Sequence, residues 1–495
     1  MTNINKVLMS LNSGRLEVAC SPSLQRSRIH GCWLGKSIGG TLGLPAEGKI
    51  GRLHFSYYDP VPTVAPPNDD LELQLVWLDM IEKGGSSLAL ADFATAWINR
   101  IHYMWDEYGR CRWNLRRGVP LESVGTFENP FHAGMGSPIR SEIWACLFAG
   151  DTDSAAYYAA MDSTLDHGLE GIAGEVFFAV LQSLVAVGTE FVPALWRAKG
   201  YLPKSSDTAR AVELVLNQYQ QSVPVWDCWQ EIIAHFGSEN FTHTPLNIAL
   251  TVRALLYGEG DFEASILLAV NGGYDTDCTA ATVGATLGLM FGLETIPERW
   301  SEPIGEEVFV GPGILGIDLP RTLKELTDRT IALIGKLDSQ KWDSAIWTRT
   351  PSPVLIDRLP GTTKIHTPSR AISWANGELP PEIKEARGGT WDWMLTSDEP
   401  RKILCLARDG ARLFVDDRLV VECPPGLPYV PAPHRCATQA IADIQLSKGS
   451  HRVRVELASD SEDQDACVLL AYPNFHLSPW TFEELPDRAN LPAPL

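Results

Sequence analysis

Glycines 31, 35, 39 and 43 recur at every fourth position within the stretch RIHGCWLGKSIGGTLGLPAE. Residues four apart share one face of a helix, and each glycine weakens a helix by about 1 kcal/mol relative to alanine. A repeated weakness of this kind makes sense if it strips one face bare so that a second backbone can come close. The spacing therefore predicts a helix that ends near Leu44-Pro45, packs closely on another element and delivers Glu47 at its end. The same stretch contains Gly35-Lys36-Ser37, the closing tripeptide of a phosphate-cradling P-loop. That motif requires a glycine five places earlier, directly after a buried strand. His30 stands at that position and the preceding SPSLQRSRI is polar, so the P-loop reading fails.

From about 28 to 335, apolar residues recur at spacings of three and four, as in LELQLVWLDMIEKG, GIAGEVFFAVLQSLVAVG and LNIALTVRALLYG. This is the period of helices with a buried face. Breakers such as Pro203, Gly237 and Pro297 fall between the segments, where turns belong. An all-α domain over 28–335 is expected. Prolines spread through polar sequence mark 336–398 as a connector that wraps a surface. From 399 to 480 the period becomes two, in KILCLAR, ARLFVD, RLVVE and HRVRVELAS, and Asp409-Gly410 reads as a hairpin turn. The expected fold class is thus multi-domain, all-α followed by an antiparallel β-sandwich. The phrases ARLFVDDRLVVE and LSKGSHRVRVELA resemble PA14-like sandwich modules of carbohydrate-active enzymes. That resemblance implies either a packing module or a sugar-binding one.

The formal net charge of −20 argues against nucleic acid or an anionic membrane as partner. The 10 cysteines form no CxxC pair, which argues against a zinc ribbon and fits reduced thiols in a cytoplasm. No run of 18 apolar residues suggests a membrane span, and the N-terminus has no long apolar core of a signal peptide. The oligomeric state is left open.

Two acidic motifs carry the chemistry. Asn68-Asp69-Asp70 precedes the helical run LELQLVWL, and Asn271-Gly272-Gly273-Tyr274-Asp275-Thr276-Asp277-Cys278 opens an alanine-rich one. Neighbouring carboxylates repel, and are tolerated when solvated, at a helix N-terminus or on a cation. The first motif alone reads first as a helix cap with an acidic first turn. In the second, two glycines permit a tight turn that aims Asp275 and Asp277 from one short arc. Oxygen-rich sets of this kind suit magnesium or manganese. Four carboxylates from two helix starts suffice for two ions.

The ordered set Gly35-x3-Gly39-x3-Gly43-x-Pro45-x-Glu47, then Asn68-Asp69-Asp70, then Asp275-Thr276-Asp277 resembles the ADP-ribosylglycohydrolase family over roughly residues 28 to 335. The resemblance implies an all-helical domain with a dinuclear magnesium site, manganese being the alternative ion. It implies Asn68, Asp69, Asp70, Asp275, Asp277 and the position of Cys278 as ligands, with Glu47 and Asp70 catalytic. Three positions depart from the family pattern. Asn68 stands where threonine is usual, Cys278 where threonine or serine is usual, and Gly40 where aspartate is frequent. The implied reaction is hydrolysis of an N- or O-glycosidic bond at C1 of an ADP-ribosyl or ribosyl-like unit, on a small-molecule or ADP-ribosylated substrate. A carbohydrate glycosidase on the same metal site, and a non-enzymatic binding or structural protein, stand as alternatives.

Weaker candidates remain. Asp166-His167 reads as a capping aspartate with a packed histidine, or as direct chemistry. Arg140, at the end of HAGMGSPIR, could contact phosphate, or the segment could be a plain turn. Trp105, Tyr108, Trp113 and Phe127 could stack on a base or sugar, or fill the core.

Overall fold

The computed structural model describes residues 21–351, apart from 104, 105, 117, 128, 130 and 312. It also describes 384–385, 390–397 and 401–471, apart from 408, 428–436, 448 and 459–465. The prolines expected to define the connector, from 353 to 381, lie outside the described residues.

The first part is helical, and six of its helices build or support the site. They are α1 (Pro22–Gly43), α2 (Asp69–Lys83), α3 (Asp106–Arg116), α4 (Glu142–Leu147), α5 (Leu169–Ala186) and α6 (Thr276–Phe291). Helix α1 starts at Ser21, whose hydroxyl accepts from Leu24 N–H, with Pro22 in the first turn, where its missing N–H costs nothing. It then runs unbroken through all four glycines of the stripe.

The glycines tolerate the helix because α6 lies against them. A methyl group on Gly35 would stand 2.2 Å from the Gly284 carbonyl oxygen, one on Gly39 2.0 Å from that of Ala280, and one on Gly43 2.3 Å from that of Thr276. The partner strip is small as well: methyls on Gly284 and Gly288 would lie 2.1 Å from the carbonyl oxygens of Gly35 and Gly31. As the number rises by four on α1, it falls by four on α6, so the helices are antiparallel. Backbone-to-backbone van der Waals contact along the whole seam offsets the weak helix propensity of glycine. The consequence is positional: the C-terminus of α1 meets the N-terminus of α6.

Helix α5 is the most apolar of these helices by composition. It is long and apolar enough by composition alone to cross a membrane. Yet 89% of it is buried inside the domain, and it carries the buried polar residues Glu175, Gln182 and Ser183. It is a core helix covered on every side, so its apolar residues face packed neighbours all round, and Gln182 and Ser183 are buried with partners.

The second part has its own core, built on Leu404, Leu406, Leu413, Val453 and Val455. Strands β1 (Lys384–Glu385), β2 (Thr390–Ser397), β3 (Arg401–Ala407), β4 (Ala411–Val415), β5 (Arg418–Cys423), β6 (Ile441–Ile444), β7 (Gly449–Leu457) and β8 (Ala466–Ala471) form two antiparallel sheets. Their orders are β1-β2-β7-β4-β5 and β6-β3-β8. Strand β2 falls inside the stretch whose composition marked a connector, and it pairs along its full length with β7. The expected Asp409-Gly410 hairpin is not one: β3 and β4 belong to different sheets, so this turn carries the chain across. Gly410, at φ 95°, supplies the required backbone conformation. The tight hairpin lies at Asp416-Asp417 between β4 and β5, with φ of 50° and 62°. Two consecutive positive φ values are the signature of a type I′ turn.

Candidate metal centre

The antiparallel seam decides which residues meet. Where α1 ends, the chain makes one short 3-10 turn (Leu44–Ala46) and reaches Glu47. The following strap folds onto the arc before α6: Gly48 N–H donates to Tyr274 O and Tyr274 N–H donates to Lys49 O, both at 2.9 Å. Thr276 Oγ1 donates to Gly43 O at 2.8 Å, closing the end of α1. Gly273 and Tyr274 both have positive φ, 73° and 68°. A side chain on Gly273 would collide with the Gly51 carbonyl, so the turn and the strap require glycine there. This conformation throws Asp275 and Asp277 inward, 1% and 3% exposed.

Helix α2 supplies the opposite wall. Asn68 caps it, its side-chain oxygen accepting from Asp70 N–H at 2.8 Å while its Nδ2 donates to Asp277 Oδ2 at 3.2 Å. The amide therefore stitches the two acidic motifs together. Asp69 accepts from Tyr108 Oη at 3.0 Å, and Asp70 is buried.

Two groups of donor atoms result, each within 4.8 Å of one another: Asp70, Asp277 and Cys278, and Glu47, Asp275 and Asp277. Asp277 belongs to both. Glu47 stands exposed at the rim, while its two partners are buried. Among the described residues, Asp70 Oδ2 and Asp277 Oδ1 are buried oxygens that meet no hydrogen-bond donor. Burial pushes Asp70 up to about 7, with Lys36 opposing and Asp69 and Glu142 adding. Burial likewise lifts Asp277 to about 7, with Asp70 and Asp69 contributing. Burial and the surrounding carboxylates raise the Cys278 thiol well above its ordinary range. Orphaned, mutually repelling carboxylate oxygens fit divalent cations, which remove both the desolvation cost and the repulsion. The thiol is the poorest member of the donor set for magnesium.

The supporting roles of two residues escaped the sequence reading. Lys36, dismissed with the P-loop, is 1% exposed and lies 3.4 Å from Asp70 Oδ1 and 3.1 Å from Glu142 Oε2. A lysine inside a run of small and apolar residues was the available signal, because lysine is buried only when paired. Tyr108 is no stacking platform: its ring is 2% exposed and its hydroxyl serves Asp69 and the Gly136 carbonyl. Methyl groups on Gly134 and Gly136 would strike Glu107, so these glycines admit α3 against their loop.

Of the two readings of Arg140, the structure takes neither a phosphate contact nor a plain turn. The side chain is fully buried, donating to both oxygens of Asp166 at 2.8 Å, to Asp162 at 2.9 Å and to Gly136 O at 2.7 Å. It has no reach to phosphate. His167 lies 3.0 Å from Asp166 and 3.4 Å from Glu107, buried between them, which is the packed reading. Phe127 is core. Trp105 and the side chain of Trp113 lie outside the described residues.

A family model described as ADP-ribosylglycohydrolase matches residues 21–340. Among solved structures, one titled "ADP-ribosylglycohydrolase-related protein complex" is similar at 18% identity, over 66% of this chain and 100% of that one, with a TM-score of 0.43. The comparison with curated proteins found no match.

Proposed function

The chain belongs to the ADP-ribosylglycohydrolase family, and from that premise we propose a metal-dependent hydrolase that cleaves an N- or O-glycosidic bond at C1 of an ADP-ribosyl or ribosyl-like unit. One observation carries the reading. Three segments far apart in sequence converge so that Glu47, Asp70, Asp275, Asp277 and Cys278 present donor atoms within 4.8 Å in two groups. Asp69 and Asn68 stand beside them, and Asn68 keeps a second lone pair on its amide oxygen.

The donor set fits two divalent ions, magnesium or manganese, which when bound supply positive charge for ribose-type hydroxyls and make water more acidic. The protein side of the chemistry follows from burial. Asp275 and Asp277 are held inward by the Gly273 turn and present fixed negative charge to the sugar side. Developing positive charge at an anomeric carbon is stabilised by carboxylates already in place, which need no reorganisation during the reaction. Glu47 is the exposed carboxylate of the set. At the rim it can take a proton from attacking water or return one to the leaving group. Tyr108 holds Asp69 through its hydroxyl.

The test is a panel of ADP-ribosyl-arginine, ADP-ribosyl-serine, O-acetyl-ADP-ribose and pentofuranosides, each with magnesium and with chelator. Chelator-sensitive turnover of an ADP-ribosyl compound is expected. Turnover of the pentofuranosides alone would move the assignment to a carbohydrate glycosidase. No turnover of any, together with no metal in the purified protein, would remove the enzyme reading. Asp277→Asn, which leaves the volume unchanged, should abolish metal retention by the purified chain. Full occupancy in that variant would refute the ligand set.

A further inference from the structure

Lys36 makes the two halves of this site unequal. Its ammonium is fixed on both sides, by Asp70 at 3.4 Å and Glu142 at 3.1 Å. Glu142 is itself fixed, accepting from Gln74 Nε2 at 2.9 Å and from Gln182 Nε2 at 3.2 Å. Gln74 is held in turn by Ile143 N–H, which donates to its Oε1 at 2.8 Å. All five side chains are buried, so the ammonium is held largely away from solvent.

The two donor groups then face different conditions. Glu47, Asp275 and Asp277 form an all-carboxylate group. Asp70, Asp277 and Cys278 include a thiol, and one of the carboxylates already carries a cation. A divalent ion there stands close to an ammonium in a site with little water, where like charges repel strongly. Magnesium gains little from sulfur in return, whereas zinc gains a favourable ligand.

We infer that the two positions select different cations: Glu47, Asp275 and Asp277 take a hard divalent ion such as magnesium, while Asp70, Asp277 and Cys278 refuse magnesium and take a thiophilic ion such as zinc. Lys36 is the resident positive charge that Asp70 keeps when the second position is empty. Zinc enters as a bond forms to the Cys278 sulfur and the thiol proton leaves to solvent. The inference rests on reading the cluster as a metal centre, and it differs from an even pair of magnesium ions.

The measurement is calorimetric titration of the full chain, stripped with chelator, with magnesium chloride and separately with zinc chloride. Wild type should take one equivalent of magnesium. Cys278→Ser should take one equivalent of zinc fewer than wild type, or bind that equivalent at least about tenfold more weakly, the scale on which a lost partner alters metal affinity. Lys36→Met should gain a second magnesium equivalent, whereas Lys36→Arg should behave as wild type. If Lys36→Met does not fold, the wild-type magnesium count and the Cys278→Ser zinc difference decide alone. Two magnesium equivalents of similar affinity in wild type would overturn this inference and leave the proposed function standing. Failure of wild type to bind either metal would overturn both.

Discussion

Tyr108 shows how a single side chain can matter without touching a substrate. Its hydroxyl donates to Asp69 at 3.0 Å and its ring lies buried under the glycine-rich loop. Hydrogen bonds to charged groups contribute about 1.5–3 kcal/mol. Tyr108→Phe should therefore release Asp69 and lower kcat by about one to two orders of magnitude, with a far smaller change in thermal midpoint. Steady-state kinetics beside a melting curve would check this, and an unchanged kcat would show that Asp69 needs no such support. At this scale the sequence was legible where a motif is local. Gly272-Gly273 before Asp275 and Asp277 announces a turn that aims two carboxylates. Lys36, Tyr108 and Glu142 were not legible, because each takes its meaning from a partner at least 28 positions away, such as Gly136 for Tyr108 and Asp70 for Lys36.

The seam between α1 and α6 makes a sharp prediction at the level of the element. In an isolated helix, Gly39→Ala would stabilise by about 1 kcal/mol. Here the new methyl would stand 2.0 Å from the Ala280 carbonyl oxygen. Backbone cannot yield as a flexible side chain does, and overpacking costs about 1–3 kcal/mol or more. Gly39→Ala should thus lower the unfolding free energy in urea by more than 1 kcal/mol, opposite in sign to propensity. It should weaken metal retention too, since the same seam sets Glu47 against Asp275. A stabilised variant would mean that the helices can part without loss. The i, i+4 glycines predicted this close approach, but nothing local named α6 as the partner. In the β region, local cues misled: Asp409-Gly410 looks like a hairpin yet crosses between sheets, while Asp416-Asp417 adopts the tight turn. Turn chemistry reports backbone conformation, and pairing is decided by which faces are buried.

Across the whole helical domain, the buried ion cluster behind the site gives a pH signature. Burial works to lower the pKa of His167, but Asp166 and Glu107 outweigh it and raise it to about 9 from 6.5. Burial works to raise Asp166, but Arg140 and His167 outweigh it and hold it at about 2. A histidine held above its unfolded value stabilises the fold fully below pH 6.5, and that contribution fades as pH rises through about 9. An aspartate held below its unfolded value of 3.8 stabilises above that pH and loses the effect as pH falls through about 2. Urea unfolding of wild type should therefore weaken between pH 6.5 and 9. In His167→Gln that alkaline decline should be shallower, and an identical decline would show that His167 is neutral in the folded state.

The sequence by itself determined the helical character of the first part and the strand character from 399 on, the bare face of α1 and the identity of the acidic motifs. These depend on period, on backbone freedom and on residues within one turn of each other. Only the tertiary structure decided that α1 and α6 run antiparallel, and that Glu47 therefore meets Asp275 and Asp277. It alone placed Lys36 against Asp70, turned Arg140 into a buried anchor and enclosed the membrane-like α5 in the domain core. The physical reason is common to all of these. Charge and burial act through distance in space, and pairings between helices far apart in the chain leave no periodic trace in either one.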